Sequence, residues 1–350
     1  MSHGGLGCYI GVEVRKWGAS ANCAITTKRC AKWQGALALP IQSFARFADA
    51  PEKMHRLRAS LRGGTSVCYN THMIYSIQCS GQMCNRIVWF VHTLATAIDL
   101  EANIVHPFGR EIRSFSNLHP EAIPEIKVRC FNWPRFIPVD VLHGWMLKLP
   151  GMRQEYRNGS AERCRKWHEK GRRNLLLWNW NFRNDEAIAR HREKIVAYLR
   201  AKDGHCVRPG RIVAGLRDPG VTLVGVHIRR GDYREAAPGW CYDDATYLRL
   251  MREFEASHGG KVRFAIVSNE PVDLDFFKAG GIDATVASGT PQEDVVMLSM
   301  CDFIMGPCST FSWWAAYYGD KPRLSVRSRD GHVSAGGFAK VTEAVRGVVS

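Results

Sequence analysis

From Val221 onward, short apolar runs of strand length alternate with stretches of helical period, and this alternation constrains the fold more than any other feature of the chain. Val221–Ile228 and Val262–Val267 are strand-length runs, with Ala284–Ala287, Phe303–Met305 and Arg323–Val326 as shorter ones. Between them the spacing predicts helices over Ala245–Ser257, Val272–Ala279, Pro291–Cys301 and Thr310–Tyr318. Thr290 followed by Glu293 is a capping-box signature for the third of these. Strands that alternate with helices at this spacing build a parallel, doubly wound sheet, because a crossover helix must cover each face. Such sheets take ligands at the carboxyl ends of their strands, so the chemistry is expected just after each strand.

The first half is less regular. Met73–Cys79 is expected as a strand, Ser80-Gly81-Gln82 as a turn, and Asn85–Leu100 as a helix with Ile87, Phe90, Val91, Leu94 and Ile98 on its apolar positions. The run 106–155 carries six prolines, so loops and short helices should dominate there. Leu175–Trp178 is a candidate strand, and Asp185–Arg200 a helix capped by Asn184. The expected organisation is an N-terminal segment of unassigned role (1–65, closed by Gly63-Gly64), an α/β domain over 66–205, and a second Rossmann-like domain over 206–350. The longest apolar run, Ile87–Ile98, falls short of the ~20 residues of a bilayer span and suits a buried helix. Met1-Ser2-His3-Gly4-Gly5 opens without the basic region and long apolar core of a signal peptide, so a cytoplasmic protein without a membrane anchor is expected.

The formal charge is +15, which favours acidic partners: nucleic acid, an anionic membrane surface touched peripherally, or a phosphorylated small molecule. The excess clusters in residues 1–64, with ten Lys/Arg against three acids, and again in 153–173. Solvated basic faces are the plain alternative. The twelve cysteines form no Cys-x-x-Cys, and spacings such as Cys23 to Cys30 or Cys301 to Cys308 match no zinc pattern. Cys79 and Cys301 lie in apolar runs, as small core residues do, and a reducing compartment is expected. No metal site is expected.

Three segments at strand ends carry chemistry. His227-Ile228-Arg229-Arg230-Gly231-Asp232-Tyr233 sets two guanidinium forks, suited to phosphate or carboxylate, beside a glycine that lets backbone approach a ligand. A turn-forming ion pair is the alternative. Cys308-Ser309-Thr310-Phe311-Ser312 runs from a strand into a helix start, where free amides and two hydroxyls suit an anion, although plain N-capping needs the same residues. Ser80–Arg86 is a strand-to-helix turn with one glycine and so is no dinucleotide fingerprint.

Together and in this order, the segments resemble the α-1,2-fucosyltransferases. His227–Tyr233 is similar to the family's H-x-R-R-G-D-Y, and Glu293-Asp294 through Ser309-Thr310-Phe311-Ser312-Trp313-Trp314 to its late segment. Phe264–Asn269 resembles its F-S-D strand end with Asn269 in place of aspartate, and Trp178–Phe182 its aromatic stretch before a helix. Gly81 and Asn85 match the first motif, G-x-G-N-Q, whereas Cys84 and Arg86 depart from it. The resemblance spans roughly 72–326 and has no counterpart for 1–65.

The resemblance implies a glycosyltransferase B-type fold, two Rossmann-like halves facing across a cleft, and inverting, metal-independent transfer of L-fucose from GDP-β-L-fucose to a galactose-containing glycan acceptor, without a cofactor. It implies donor binding by Arg229, Arg230, Ser268, Asn269, Asp302, Ser309, Thr310 and Phe311, with Asp302 toward the nucleoside, and acceptor-side roles for Gly81 and Asn85. His227 would brace the phosphate corner. Asp232 is the nearest candidate base, with Glu235, Asp243 and Asp244 as alternatives. α-1,6- or protein O-fucosyl transfer, a catalytically dead relative, and a basic nucleic-acid-binding protein are the competing readings.

Overall fold

The computed structural model describes residues 72–77, 81–134, 138–155, 161–178 and 182–346. The segment 1–65, with the whole of the basic N-terminal cluster, and Cys79, Ser80 and Asn179–Asn181 lie outside the described residues.

Two five-stranded sheets, each parallel throughout, follow one another along the chain. The first contains β1 (Met73–Ser76), β2 (Asn103–His106), β3 (Val128–Cys130), β4 (Met152–Glu155) and β5 (Asn174–Leu177) in the order β3-β2-β1-β5-β4. Its helices are α1 (Met83–Asp99), α2 (Arg110–Phe115), α3 (Val139–Met146), α4 (Ala161–Glu169), α5 (Asp185–Arg190) and α6 (Arg192–Tyr198), and α7 (Asp203–Leu216) then leads into the second half. β3 and β4 fall in the stretch where loop is expected; their few residues carry no periodic signal, and only pairing against β2 and β5 makes them strands. The helix expected over 185–200 is two, broken at His191, whose φ of −104° and ψ of 16° leave the helical region. Asn184 caps the first of them, accepting the Ala187 amide at 3.2 Å.

The second sheet holds β6 (Val221–Ile228), β7 (Lys261–Ser268), β8 (Ala284–Val286), β9 (Phe303–Pro307) and β10 (Arg323–Val326) in the order β10-β9-β6-β7-β8. Its helices are α8 (Tyr233–Ala236), α9 (Asp244–His258), α10 (Leu274–Ala279), α11 (Pro291–Met300) and α12 (Thr310–Gly319), followed by α13 (Val341–Arg346). The expected capping box on α11 forms, with Thr290 and Glu293 bonding reciprocally. The chain leaves β6 toward β7 and β8, then returns to its other side for β9 and β10. This reversal opens a crevice between β6 and β9, the switch point at which doubly wound sheets bind ligands.

Side-chain alternation along the strands feeds two cores. Phe264 and Ile266 face one core with Tyr247, Leu250 and Phe254 of α9, while Ala265 and Val267 join the other. That other core is continuous through both halves. Phe115 of α2 meets Trp314 and Tyr318 of α12 edge-on at 5.8 and 5.4 Å, and Arg192 donates to the carbonyls of Tyr317 and Tyr318 at 2.8 and 2.7 Å. α1 is buried from Ile87 through Ile98, as its apolar run predicts, with Thr93 and Thr96 returning their hydroxyls to carbonyls one turn back. Two doubly wound parallel sheets packed as halves of one unit make up the glycosyltransferase B-type architecture that the motifs imply.

Candidate functional site

The β6–β9 crevice is where the sequence motifs meet. Arg229 follows β6, and Ser309 and Thr310 follow β9. The start of α1, from the other half of the molecule, completes the corner. Gln82 Oε1 accepts from Arg229 Nη2 at 3.3 Å, and Asn85 Oδ1 accepts the Thr310 hydroxyl. Gly81 makes the approach of α1 feasible: at φ +79° a Cβ would overlap the Asn85 side chain. Gly81 and Asn85, expected on the acceptor side, are thus drawn to the phosphate-type corner, Asn85 as the hitch between the halves.

Arg229 is the cation of the corner. Its Nη2 reaches both oxygens of Asp232, at 2.8 and 2.9 Å, and its guanidinium lies 5.5 Å from the Tyr233 ring centre. The Tyr233 hydroxyl in turn donates to the Cys308 carbonyl at 3.3 Å, tying this loop to the β9 turn. Asp232 is half exposed, at 49% of its side chain. Arg230, expected to bind the donor, is otherwise engaged: its Nη2 meets Asp244 at 2.6 Å and its Nε the Tyr242 carbonyl at 3.1 Å. Both donors point back into the domain, so Arg230 is a brace for its own loop.

Ser268 and Asn269 also shape that loop. Asn269 Oδ1 accepts the Arg230 amide at 2.9 Å, and Ser268 Oγ accepts the Glu270 amide at 3.2 Å. Glu270 closes the rim with a two-point fork on Arg234, at 2.5 and 2.6 Å. Gly231 turns the chain at φ +56° over the Asn269 side chain.

His227 is buried and stacked on Phe311 at 4.9 Å between ring centres. Burial, with the Arg229 and Arg323 cations nearby, pushes its pKa down to about 3, so the ring is neutral at neutral pH. Beside it, Gly306 is obligatory: a Cβ there would sit 2.7 Å from the His227 carbonyl oxygen. Ser309 caps α12, its Oγ accepting the Phe311 amide at 3.2 Å. Capping therefore uses one amide of that first turn, and the remaining helix-start amides have no intrahelical acceptor.

Asp302 stands on the wrong edge. It precedes β9, so about 16 Å of strand separates it from the Ser309 turn. There it accepts the Leu223 amide at 2.9 Å and pairs with Arg217 at 2.9 Å. Its place before a parallel strand dictates this, because all amino ends share the edge opposite the crevice. Asp294, in the first turn of α11 behind the loop that follows β8, is an acid on the carboxyl side. It accepts the Gly289 amide at 2.6 Å, and burial raises its carboxyl to about 6. Of the alternative bases, Asp243 caps α9 through Thr246 and Asp244 holds Arg230.

Gln82 and Arg323 went unnoticed in the sequence as site residues; neither stands at a motif position that marks a cation or its partner. Among the described residues no group of three or more His, Cys, Asp or Glu could hold a metal ion, and no helix is long and apolar enough to cross a membrane. Among the described cysteines, Cys84, Cys130, Cys164, Cys301 and Cys308 are buried.

Comparison with known proteins meets this geometry. Residues 207–327 match glycosyl transferase family 11. Galactoside alpha-(1,2)-fucosyltransferase 1 of Rattus norvegicus is 35% identical over 126 residues, covering 31% of this chain and 32% of the relative. The Homo sapiens protein of the same name is 36% identical over 110 residues, covering 27% and 28%. The match therefore spans about a third of the length of these relatives. A solved structure of an Arabidopsis thaliana FUT1 variant in complex with GDP superposes with a TM-score of 0.52 at 10% identity, over 79% of this chain and 74% of that one, a likeness of fold. The matched residues are those that carry Arg229 and the Ser309 turn.

Proposed function

We propose that this chain transfers an L-fucosyl group from GDP-β-L-fucose to a galactoside hydroxyl with inversion at the sugar carbon, and without a divalent ion. The observation that carries the reading is the convergence of the Arg229 guanidinium and the start of α12 at the switch point of the second sheet, in a segment of the matching family. The bond from the fucosyl carbon to the β-phosphate oxygen breaks with its electron pair on the diphosphate. Stabilising that growing charge is the main task of such a site, and a fixed guanidinium with helix-start amides performs it. His227, neutral and stacked on Phe311, holds the strand end rigid beneath them.

Asp232 has a two-stage role in this scheme. Both of its oxygens lie on Arg229 in the free protein. When the diphosphate takes the guanidinium, the carboxylate is released to accept the proton of the acceptor hydroxyl as the new glycosidic bond forms. The relatives named as galactoside α-1,2-fucosyltransferases support O-2 of a galactoside as the acceptor position.

The test is Arg229→Lys. Lysine keeps the charge and loses the fork, so transfer should fall ~10²-fold, equivalent to ~3 kcal/mol of transition-state stabilisation. Near-normal turnover in that variant overturns the assignment, and absence of transfer by the parent with any galactoside overturns the acceptor.

A further inference from the structure

A second arginine lies beneath the Ser309 turn. Arg323 opens β10 opposite Ile304 of β9, and its side chain runs along the neighbouring strand to the turn. There Nη2 donates to the carbonyls of Pro307 at 3.2 Å and Ser309 at 3.5 Å, and Nε to Ser312 Oγ at 3.1 Å. All three acceptors are neutral. Burial without a carboxylate to offset it lowers Arg323 to about 10. Its charge nevertheless reaches the corner, helping to depress the pKa of His227, whose buried Nδ1 has no partner.

The hydrogen bonds have a directional consequence. In a planar trans peptide the C=O and the following N–H point in opposite directions. Drawing the carbonyls of Pro307 and Ser309 down onto Arg323 turns the amides of Cys308 and Thr310 away from it. The Ser309 carbonyl also accepts the Trp313 amide of α12 at 3.1 Å, so helix and guanidinium together fix the Thr310 amide, while the hold on Pro307 is the guanidinium's; it also places a positive charge behind both amides.

We infer that Arg323 is a positioning residue for a pyrophosphoryl ligand, orienting the amides of the β9–α12 turn and supplying from below the charge that the diphosphate neutralises. This rests on the donor reading given above and extends it to a residue outside the motifs. Arg229 holds the ligand by direct contact, whereas Arg323 acts through the turn. A cation that is desolvated in the free protein and neutralised in the complex trades stability for affinity, and that trade separates this role from ordinary packing.

The experiment titrates inorganic pyrophosphate, GDP and guanosine into the full chain and into Arg323→Gln by calorimetry, with thermal melts of both free proteins. Glutamine keeps one donor for the turn and removes the charge. Expected are a fall in affinity of about tenfold for pyrophosphate and GDP, unchanged guanosine binding, and a free-protein melting temperature equal to or above that of the parent. Equal losses for GDP and guanosine, or a lower melting temperature with unchanged pyrophosphate affinity, overturn the inference and make Arg323 a structural brace. Should the glutamine variant not fold, Arg323→Lys decides by the same comparison: it keeps the charge, so it should lose about threefold for pyrophosphate and nothing for guanosine. If the parent binds pyrophosphate and GDP, and Arg229→Lys weakens both while the Arg323 variants do not, the donor reading stands and this inference falls. If the parent binds neither, both fall.

Discussion

Substituting Gly231 by alanine tests how the arginine loop is held. At φ +56° an alanine costs about 1–2 kcal/mol in backbone strain. Its Cβ would also come within 2.7 Å of Asn269 Nδ2. The amide end of Asn269 can move aside only by giving up the Arg230 amide, which its Oδ1 accepts at 2.9 Å, a further loss of about 1 kcal/mol. Gly231→Ala should therefore destabilise by about 2–3 kcal/mol, lowering the melting temperature by roughly 3–4 °C for a chain of this size. Asn269→Ala removes the acceptor alone and should cost about 1 kcal/mol. In the double variant the overlap is gone, so strain and the lost hydrogen bond give about 2–3 kcal/mol, short of the sum of the singles by about 1 kcal/mol. Urea melts of the four proteins measure that coupling, and GDP titrations should show Gly231→Ala weakened along with its stability. Strictly additive single costs, or a neutral Gly231→Ala, refute the picture of Asn269 propping the turn.

Acid should unfold the protein through its buried histidines. His227 and His106 have pKa values near 3 and 4 against 6.5 in the unfolded chain. Below pH 6.5 the unfolded state takes up protons that the folded state refuses, and each histidine withdraws about 1.5–2 kcal/mol between pH 6.5 and 5. Asp294, raised to about 6, works the other way, since the folded state protonates it first and regains about 1 kcal/mol over the same interval. Urea midpoints followed down to pH 5 should show the net loss, shallower in His227→Asn; a flat profile in the parent contradicts the buried neutral rings. Under the proposed function transfer should persist in excess EDTA, because Arg229 and the α12 amides would carry the diphosphate charge; complete loss restored by a divalent ion would place the stabilising charge elsewhere.

The second sheet was legible because its strands are apolar runs separated by helices of ordinary length, with Thr290 and Glu293 announcing α11. The first sheet was legible only at β1, α1 and β5, since three- and four-residue strands in and beside a proline-rich stretch show no period of their own. Arg229 was legible as a cation at a strand end. Whether Arg230 shares that role depends on Asp244 and the Tyr242 carbonyl, fourteen and twelve residues away, which local pattern does not connect. Asp302 offers a sharper lesson: strand direction alone assigns it to the far edge, and motif order obscured that. Arg323 could not have been found, because its guanidinium serves a turn three strand residues beyond its own register partner.

The core that Phe115, Trp314 and Tyr318 share has a practical consequence for anyone cutting this gene. The family match begins at residue 207, and a fragment started there would keep every strand of the second sheet. It would also strip Phe115, Ile188 and Arg192 from α12, laying bare an aromatic face of Trp314, Tyr317 and Tyr318 and orphaning the Tyr317 hydroxyl that donates to Ile188 at 2.8 Å. Such a fragment would self-associate through that face when expressed alone. The sequence-matched segment is not a packing unit by itself: a well-behaved fragment has to keep Phe115, Ile188 and Arg192 against α12.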